Sequence, residues 1–356
     1  MKMSAQHKSI WIGLGVGAFF LTLFFTRNNV AHLDVTSNTS NSKIAQTPKV
    51  ISTPYARLTI PYLRTVPIES NLAVLELLGN RGSYQSYMTS YTSEGNRING
   101  LLTIPTGVMP AGGWPAVVFI HGYIPPAQYE TTERYQDYVD YIARNGFVVF
   151  KIDLRGHGDS EGDASGAYYS GDYIIDTLNA IDALEKSPSV NPDQIGLWGH
   201  SMAGNVLLRT MAVKPDIKAA VIWAGAVFSY QDWQEYGLSD NSYRPPDLEQ
   251  SDRQRRRQQL FDTHGQFNPD NEFWRTVPAT NYLHVMTGSI QLHHAEDDDV
   301  VNIGYSQDLA ELLEKAGTSY EFYDYASGGH NLTGGTFSTA MQRTVEFYRT
   351  NLVGTD

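Results

Sequence analysis

Short apolar runs alternate with helical stretches along most of the chain, and this alternation limits the fold more than any other feature. The first run is Ala116–Ile120 and the last is Tyr320–Tyr323, and both are short enough to be buried strands. The stretches between such runs, for example Tyr173–Lys186, have the length of helices. Parallel strands need crossover helices that cover both faces of their sheet. The pattern therefore predicts an α/β fold with a mostly parallel central sheet and helices on both faces.

A hairpin is predicted to open this region, from Tyr84–Tyr91 and Arg97–Ile104 around a turn-like Ser-Glu-Gly-Asn. The further predicted strands are Ala116–Ile120, Phe147–Ile152, Ile195–Trp198, Ala219–Trp223, Ile290–Leu292 and Tyr320–Tyr323. The predicted helices are Glu133–Arg144, Tyr173–Lys186, Met202–Met211, Tyr305–Lys315 and Ser338–Arg349.

One interval interrupts the alternation, between Gly225 and Gly288, and it is too long for a simple loop. It is rich in aromatic residues, Asp and Arg, and it predicts an inserted, helical cap over about residues 226–288. Its aromatic side chains either pack the cap on the sheet or form a substrate cleft, and packing is favoured for any single one. They are Tyr230, Trp233, Tyr236, Tyr243, Phe261, Phe267, Phe273 and Trp274.

The segment Gly-His-Ser-Met-Ala-Gly at 199–204 follows a predicted strand and precedes a predicted helix. This strand–turn–helix setting is typical of a nucleophile elbow, with Ser201 at the tip. The tight turn needs small neighbours, which Gly199 and Ala203 provide, although alanine replaces the usual second glycine. The backbone N–H of Met202 is the first expected donor of an oxyanion hole, and that of Tyr123, in the His-Gly-Tyr loop after an earlier strand, is the second.

Four motifs in this order resemble those of the α/β-hydrolase superfamily: the His-Gly-Tyr loop, the loop Asp153–Gly162, the elbow and an acidic turn after the penultimate strand. The prolyl oligopeptidase catalytic domains and the dienelactone hydrolase and acetyl xylan esterase groups are the most similar. The resemblance implies an α/β-hydrolase fold with a catalytic domain over residues 81–356. It assigns the Asp153–Gly162 loop an architectural role, in which Arg155 and Asp153 brace the loop.

The resemblance also implies a Ser-His-Asp triad in which the acid follows the serine and the histidine follows the acid. His330 is then the base, because it alone among the histidines lies beyond the acidic cluster Glu296–Asp299. Any of these four carboxylates could reach it. The superfamily commonly has the pattern His-Gly-x-x-Asp-x-x-Val at this turn. When the sequence is aligned with this pattern so that His294 replaces the glycine, the acid is Asp297, and Asp298 is the next choice.

The composition disfavours or excludes several classes of function. The 26 Lys and Arg residues against 38 Asp and Glu give a net charge of −12, which disfavours a nucleic-acid partner. Without cysteine, thiolate chemistry and cysteine metal sites are excluded, and the proposed chemistry needs no cofactor or metal. The expected function is hydrolysis of a carboxylic ester through an acyl-enzyme. Cleavage of short peptides is the alternative, and a non-catalytic binding protein on the same fold is a third.

The N-terminus carries Lys2 and Lys8 before an apolar run, Ile10–Phe25. Residues 1–27 are therefore predicted to be a signal anchor, with a cleaved signal peptide as the alternative. The basic residues predict that the catalytic domain is exported and held at the membrane by this segment, or secreted if the segment is cleaved. Residues 28–80 read as a polar spacer and N-terminal extension.

The anchor predicts that the mature protein keeps residues 1–27 and fractionates with membranes. Mass spectrometry of the mature N-terminus, together with carbonate extraction of the membrane fraction, checks this. A mature chain that starts after Ala31 would show that the segment is a cleaved signal peptide.

Overall fold

The computed structural model describes residues 55–164, 167–238 and 247–354. The predicted anchor at 1–27, residues 28–54 of the spacer and Tyr243 of the cap lie outside these residues. Among the residues it describes, no helix has both the length and the apolar character needed to cross a bilayer.

Within the described residues, nine strands form one sheet in the order β1-β2-β3-β5-β4-β6-β7-β8-β9. The pairs β1–β2, β2–β3 and β3–β5 are antiparallel, and all the other pairs are parallel, which confirms the predicted mostly parallel sheet. The strands are β1 (Glu76–Asn80), β2 (Tyr84–Ser93), β3 (Asn96–Pro105), β4 (Trp114–Ile120), β5 (Val148–Ile152), β6 (Val190–His200), β7 (Ala219–Trp223), β8 (Ser289–Ala295) and β9 (Tyr320–Tyr325).

The α-helices of the described residues alternate with the strands from β4 onward. They are α1 (Ile60–Leu63), α2 (Gln136–Arg144), α3 (Asp172–Glu185), α4 (Ala203–Val213), α5 (Tyr230–Tyr236), α6 (Asp247–His264), α7 (Glu272–Arg275), α8 (Gly304–Ala316) and α9 (Gly335–Tyr348).

Two apolar clusters cover the two faces of the sheet. Along β4, Val118 belongs to the cluster that also contains residues of α3, α4 and α8. Its neighbours Val117 and Phe119 belong to the opposite cluster, with residues of α2 and α9. All three side chains are fully buried. Because successive strand residues point to opposite faces, a strand covered on both sides reads as a continuous apolar run, and this is the pattern that the sequence shows.

The segment from residue 55 to residue 80 differs from the predicted spacer. A short 3₁₀ turn (Ala56–Leu58) and α1 pack into the domain, and β1 pairs with β2 at the edge of the sheet. The guanidinium of Arg209 on α4 donates to the backbone oxygen of Leu58 at 2.5 Å. The described residues of this segment thus pack with the catalytic domain, although the sequence analysis assigned them to an extension.

Between β7 and β8, where the sequence predicts a helical insertion, lie α5, α6, α7 and a 3₁₀ segment (Ala279–Val285). Tyr230 and Trp274 are buried in a small apolar cluster of this region, which Phe261, Phe267 and Phe273 also join. Most of the cap aromatics therefore pack against one another.

A buried ion pair ties the β5–α3 loop to α3. The Arg155 Nη2 and Asp176 Oδ1 atoms are 2.6 Å apart, and the Arg155 backbone N–H donates to Asp176 Oδ2 at 3.0 Å. The hydroxyl of Ser93 on β2 donates to the same carboxylate at 2.7 Å. Asp176 is fully buried and Arg155 is 6% exposed. Arg155 therefore braces its loop against α3, the architectural role that the motif implies.

Replacing Asp176 with alanine is expected to lower the free energy of unfolding by about 3 kcal/mol, because the buried Arg155 would lose its shortest ion pair and keep only those with Glu94 and Asp172. Urea denaturation followed by circular dichroism measures the change. The control is Glu311→Ala, which removes an exposed pair with Lys315 and should cost about 1 kcal/mol or less. Equal losses for the two variants would contradict this account.

Candidate active site

Ser201 lies in the sharp turn between β6 and α4, with a φ of 56°. A non-glycine residue in this region is strained by about 1–3 kcal/mol and needs support from its surroundings. Two backbone hydrogen bonds supply it, from Ser201 N–H to Trp223 O at 2.9 Å and from Ala226 N–H to Ser201 O at 3.2 Å. The turn has the strand–turn–helix geometry that the sequence predicts around Ser201.

The alanine of the elbow fits because of the glycine opposite to it. A β-carbon on Gly199 would lie 3.1 Å from the Ala203 Cβ, which is tighter than ordinary van der Waals contact. Ala203 is itself fully buried. One methyl group is thus accommodated between strand and helix, whereas a second would force them apart.

The loop after β4 approaches the elbow closely at Gly122. A β-carbon there would lie 2.8 Å from the Tyr135 hydroxyl and 3.1 Å from both His200 Nδ1 and the His200 carbonyl oxygen. A side chain at this position would crowd His200, the residue before Ser201. Gly122 therefore lies against the end of β6, and Tyr123 is the next residue along the chain.

His121, the first residue of that loop, is a structural residue. Its ring nitrogens lie 2.7 Å from Gly122 O and 3.0 Å from Asp153 O, and the residue is fully buried. Burial, with a smaller effect from His157, lowers the pKa of His121 to about 3. A neutral ring carries one N–H, so it donates to one of these two carbonyl oxygens, and the buried side chain packs the loop against the end of β5.

Asp153, which the resemblance assigns a bracing role, anchors the other end of this loop. Its carboxylate accepts hydrogen bonds from the Tyr129 hydroxyl at 2.8 Å and from the Thr131 hydroxyl at 2.6 Å. Burial outweighs these hydrogen bonds and raises the pKa of Asp153 to about 6.

The carboxylate that contacts His330 is that of Asp298, whereas the sequence analysis favoured Asp297. The His330 Nδ1 and Asp298 Oδ2 atoms are 2.8 Å apart. Asp297 instead accepts a hydrogen bond from the backbone N–H of Gly329 at 2.8 Å. Asp297 therefore shapes the loop that carries His330, and Asp298 orients the imidazole.

Asp298 is held by several donors at once. Its Oδ1 accepts from the backbone N–H groups of Val300 and Val301, both at 2.9 Å. Its Oδ2 lies 3.2 Å from Nε2 of the buried His294, in addition to His330. Burial alone would raise the pKa of Asp298, but the hydrogen bonds from His294 and His330 outweigh it and hold the pKa well below its usual range. The carboxylate is therefore ionised near neutral pH.

The sequence does contain a signal for Asp298. When the superfamily pattern is shifted by one residue, His294 takes the place of its histidine, Ala295 that of its glycine, and Val301 that of its valine. In this frame alanine replaces glycine, a smaller change than histidine for glycine. Burial agrees, because Val301 is 1% exposed whereas Val300 is only partly buried.

No group of three or more His, Asp or Glu side chains in the described parts of the chain is arranged to hold a metal ion. The histidines around the site bind carbonyl oxygens, hydroxyls and Asp298 instead.

Known structures with similar architecture include acetyl xylan esterase 1 from Thermoanaerobacterium sp. JW/SL YS485. It aligns with a TM-score of 0.57 and 20% identity over 83% of this chain and 92% of the esterase. Dipeptidyl peptidase 4 of Porphyromonas gingivalis aligns with a TM-score of 0.57 and 20% identity over 76% of this chain and 36% of the peptidase. The described chain therefore has the α/β-hydrolase fold.

Sequence comparison finds similar proteins. Residues 115–241 of the chain match the family model described as serine aminopeptidase, S33. The uncharacterized peptidase YtmA of Bacillus subtilis is 26% identical over 68% of this chain and 85% of its own length. The uncharacterized peptidase YuxL of the same organism is 26% identical over 68% of this chain, which spans only 35% of it. The proteins that this chain resembles are thus esterases and serine-type peptidases.

The two neighbouring carboxylates are distinguished by the rate at which a fluorophosphonate labels the protein. Asp298→Ala should slow labelling by about 10⁴-fold, because the imidazole loses the group that fixes its tautomer. Asp297→Ala removes one backbone hydrogen bond worth about 1 kcal/mol, so it should slow labelling by only about fivefold. The opposite ranking would return the orienting role to Asp297.

Proposed function

We propose that this protein is an α/β-hydrolase that cleaves a carboxylic ester through an acyl-enzyme formed on Ser201. The observation that carries the proposal is the 2.8 Å contact between His330 Nδ1 and the ionised Asp298. An imidazole that donates its Nδ1 proton to a carboxylate presents an unprotonated Nε2, which can accept the proton of the serine hydroxyl.

In the proposed first half-reaction, the Ser201 oxygen attacks the ester carbonyl carbon and its proton moves to His330 Nε2. The backbone N–H groups of Met202 and Tyr123 stabilise the negative oxygen of the tetrahedral intermediate. As the intermediate collapses, the bond to the alcohol oxygen breaks and His330 returns the proton to that oxygen. The products are a free alcohol and an acylated serine.

In the second half-reaction water takes the place of the alcohol. His330 accepts a proton from the water as the water oxygen attacks the acyl carbon, and the proton returns to Ser201 when the acid leaves. Asp298 stabilises the imidazolium in both halves without itself being protonated. All the groups in this scheme belong to the protein, the substrate or water.

We prefer an ester to a peptide as the substrate because the alignments cover different shares of the two similar structures. The aligned acetyl xylan esterase is matched over 92% of its length, whereas the dipeptidyl peptidase is matched over 36%. The described chain thus corresponds to nearly the whole of an esterase and to a minor part of that peptidase. A peptidase on short peptides is the second candidate, since YtmA, described as a peptidase, is matched over 85% of its length.

We also propose that the reaction takes place outside the cytoplasm, with residues 1–27 as the anchor or, alternatively, as a signal peptide. This part of the proposal rests on the sequence pattern of those residues.

A panel of acyl esters and matched peptide amides tests the reaction, alongside fluorophosphonate labelling. We expect the wild type to be labelled and to turn over esters, and Ser201→Ala to lose labelling and about 10⁶-fold in kcat. Turnover of amides at rates equal to those of esters would favour the peptidase. A wild type that is not labelled, or a Ser201→Ala variant that is labelled equally, would refute the serine mechanism.

A further inference from the structure

His200, the residue before the proposed nucleophile, contacts both loops that complete the site. It ends β6 and is 3% exposed. Its Nδ1 lies 2.8 Å from the Tyr135 hydroxyl, and its Nε2 lies 2.8 Å from the backbone oxygen of His330. The rings of His200 and His330 are also close, with centroids 4.5 Å apart. The proposed mechanism gives His200 no role.

The protonation state of His200 sets the direction of these hydrogen bonds. Burial, with a smaller effect from the nearby His330, lowers the pKa of His200 to about 3, so the ring is neutral and carries one N–H. Because a carbonyl oxygen can only accept, the proton is on Nε2 and points to His330 O. Nδ1 then accepts the proton of the Tyr135 hydroxyl.

The Tyr135 hydroxyl extends the connection to the oxyanion loop. Its oxygen accepts a hydrogen bond from the backbone N–H of Gly122 at 3.0 Å. Every donor and acceptor in the resulting chain has a partner: Gly122 N–H to Tyr135, Tyr135 O–H to His200, and His200 N–H to His330 O. This series of hydrogen bonds begins at Gly122, one residue before Tyr123, and ends at the backbone oxygen of His330, the proposed base.

We propose that His200 is a positioning residue that couples the loop of the second oxyanion donor to the backbone of His330, across the turn that holds Ser201. This inference rests on the proposed function. It concerns the segments after β4, β6 and β9, which are distant in sequence. Catalysis requires that their relative positions be fixed to within a fraction of an ångström.

The loop that carries His330 needs such an anchor. Gly328 and Gly329 precede it with φ values of 145° and 60°, which are glycine conformations with little intrinsic preference. Asp298 holds the imidazole, and Asp297 holds the Gly329 N–H, but only His200 joins His330 to the loop after β4 among the contacts described above. Loss of His200 would therefore leave the imidazole oriented and the two halves of the site free to separate.

The experiment measures kcat and KM with the best ester, and the rate of fluorophosphonate labelling, for four variants and the wild type. His200→Leu removes both hydrogen bonds. His200→Gln keeps one acceptor and one donor on an amide. Tyr135→Phe removes the link to Gly122 and His200, and the fourth variant combines Tyr135→Phe with His200→Leu. The control is Tyr91→Phe, a buried tyrosine whose hydroxyl donates to Asp176 O at 3.0 Å, away from the site.

We expect His200→Leu to lower kcat by about 10- to 100-fold, because displacement of reacting groups by about 1 Å has effects of this size. KM should change by less than about threefold, since the lost contacts act on the transition state. His200→Gln should recover most of kcat. The double variant should be no slower than His200→Leu alone, because both substitutions break one chain. Tyr91→Phe should retain wild-type kcat.

Additive losses in the double variant, or equal losses for His200→Gln and His200→Leu, would overturn the coupling and leave His200 a packing residue. Circular dichroism confirms that each variant is folded, and if His200→Leu does not fold, Tyr135→Phe at the wild-type kcat would overturn the proposal by itself. An unlabelled wild type would refute the proposed function instead, so the two failures are distinct.

Discussion

The conformation of Ser201 is the constraint on which the rest of the site depends. A φ of 56° lifts the serine out of the path of β6 and turns the chain at once into α4. This backbone conformation costs about 1–3 kcal/mol, and contacts with the surrounding fold offset the strain. Gly199 lets helix and strand approach, and the backbone hydrogen bond from Ser201 to Trp223 of the neighbouring β7 holds the turn in place.

The parallel sheet brings the other groups to this turn. The strands β4, β6, β8 and β9 all end at the same edge, and the loop after each contributes one part of the site. The loop after β4 contains Tyr123, and those after β8 and β9 contain Asp298 and His330. Polar groups buried behind the edge, such as His121 and Asp153, fix the loops rather than take part in the chemistry.

The parts of this structure that depend on local pattern could be predicted from the sequence. The buried parallel strands are continuous apolar runs, and the elbow is a short motif at a strand–helix junction. The strand β1 could not be predicted in this way, because four of its five residues are exposed and a register shift interrupts its pairing. It is a strand because β2 offers it hydrogen bonds, which is a tertiary effect.

The acid shows a different limit. Chain order does not distinguish the four adjacent carboxylates as the acid that orients His330. The superfamily pattern, aligned one residue too early, selects Asp297. The choice is made by the turn itself, in which two backbone N–H groups and His294 surround Asp298 and bury it. The position of these hydrogen-bond donors around Asp298 depends on the three-dimensional path of the loop. The contacts of His200 could not be read from spacing for the same reason, since Tyr135 and His330 are far from it in sequence.

A crystal structure of the protein after reaction with a fluorophosphonate tests the account most directly, because the adduct mimics the tetrahedral intermediate. The account predicts phosphorus bonded to the Ser201 oxygen and a phosphoryl oxygen about 2.7–3.1 Å from the N–H groups of both Met202 and Tyr123. His330 Nδ1 should remain on Asp298. An adduct on another residue, or an imidazole paired with Asp297, would contradict it.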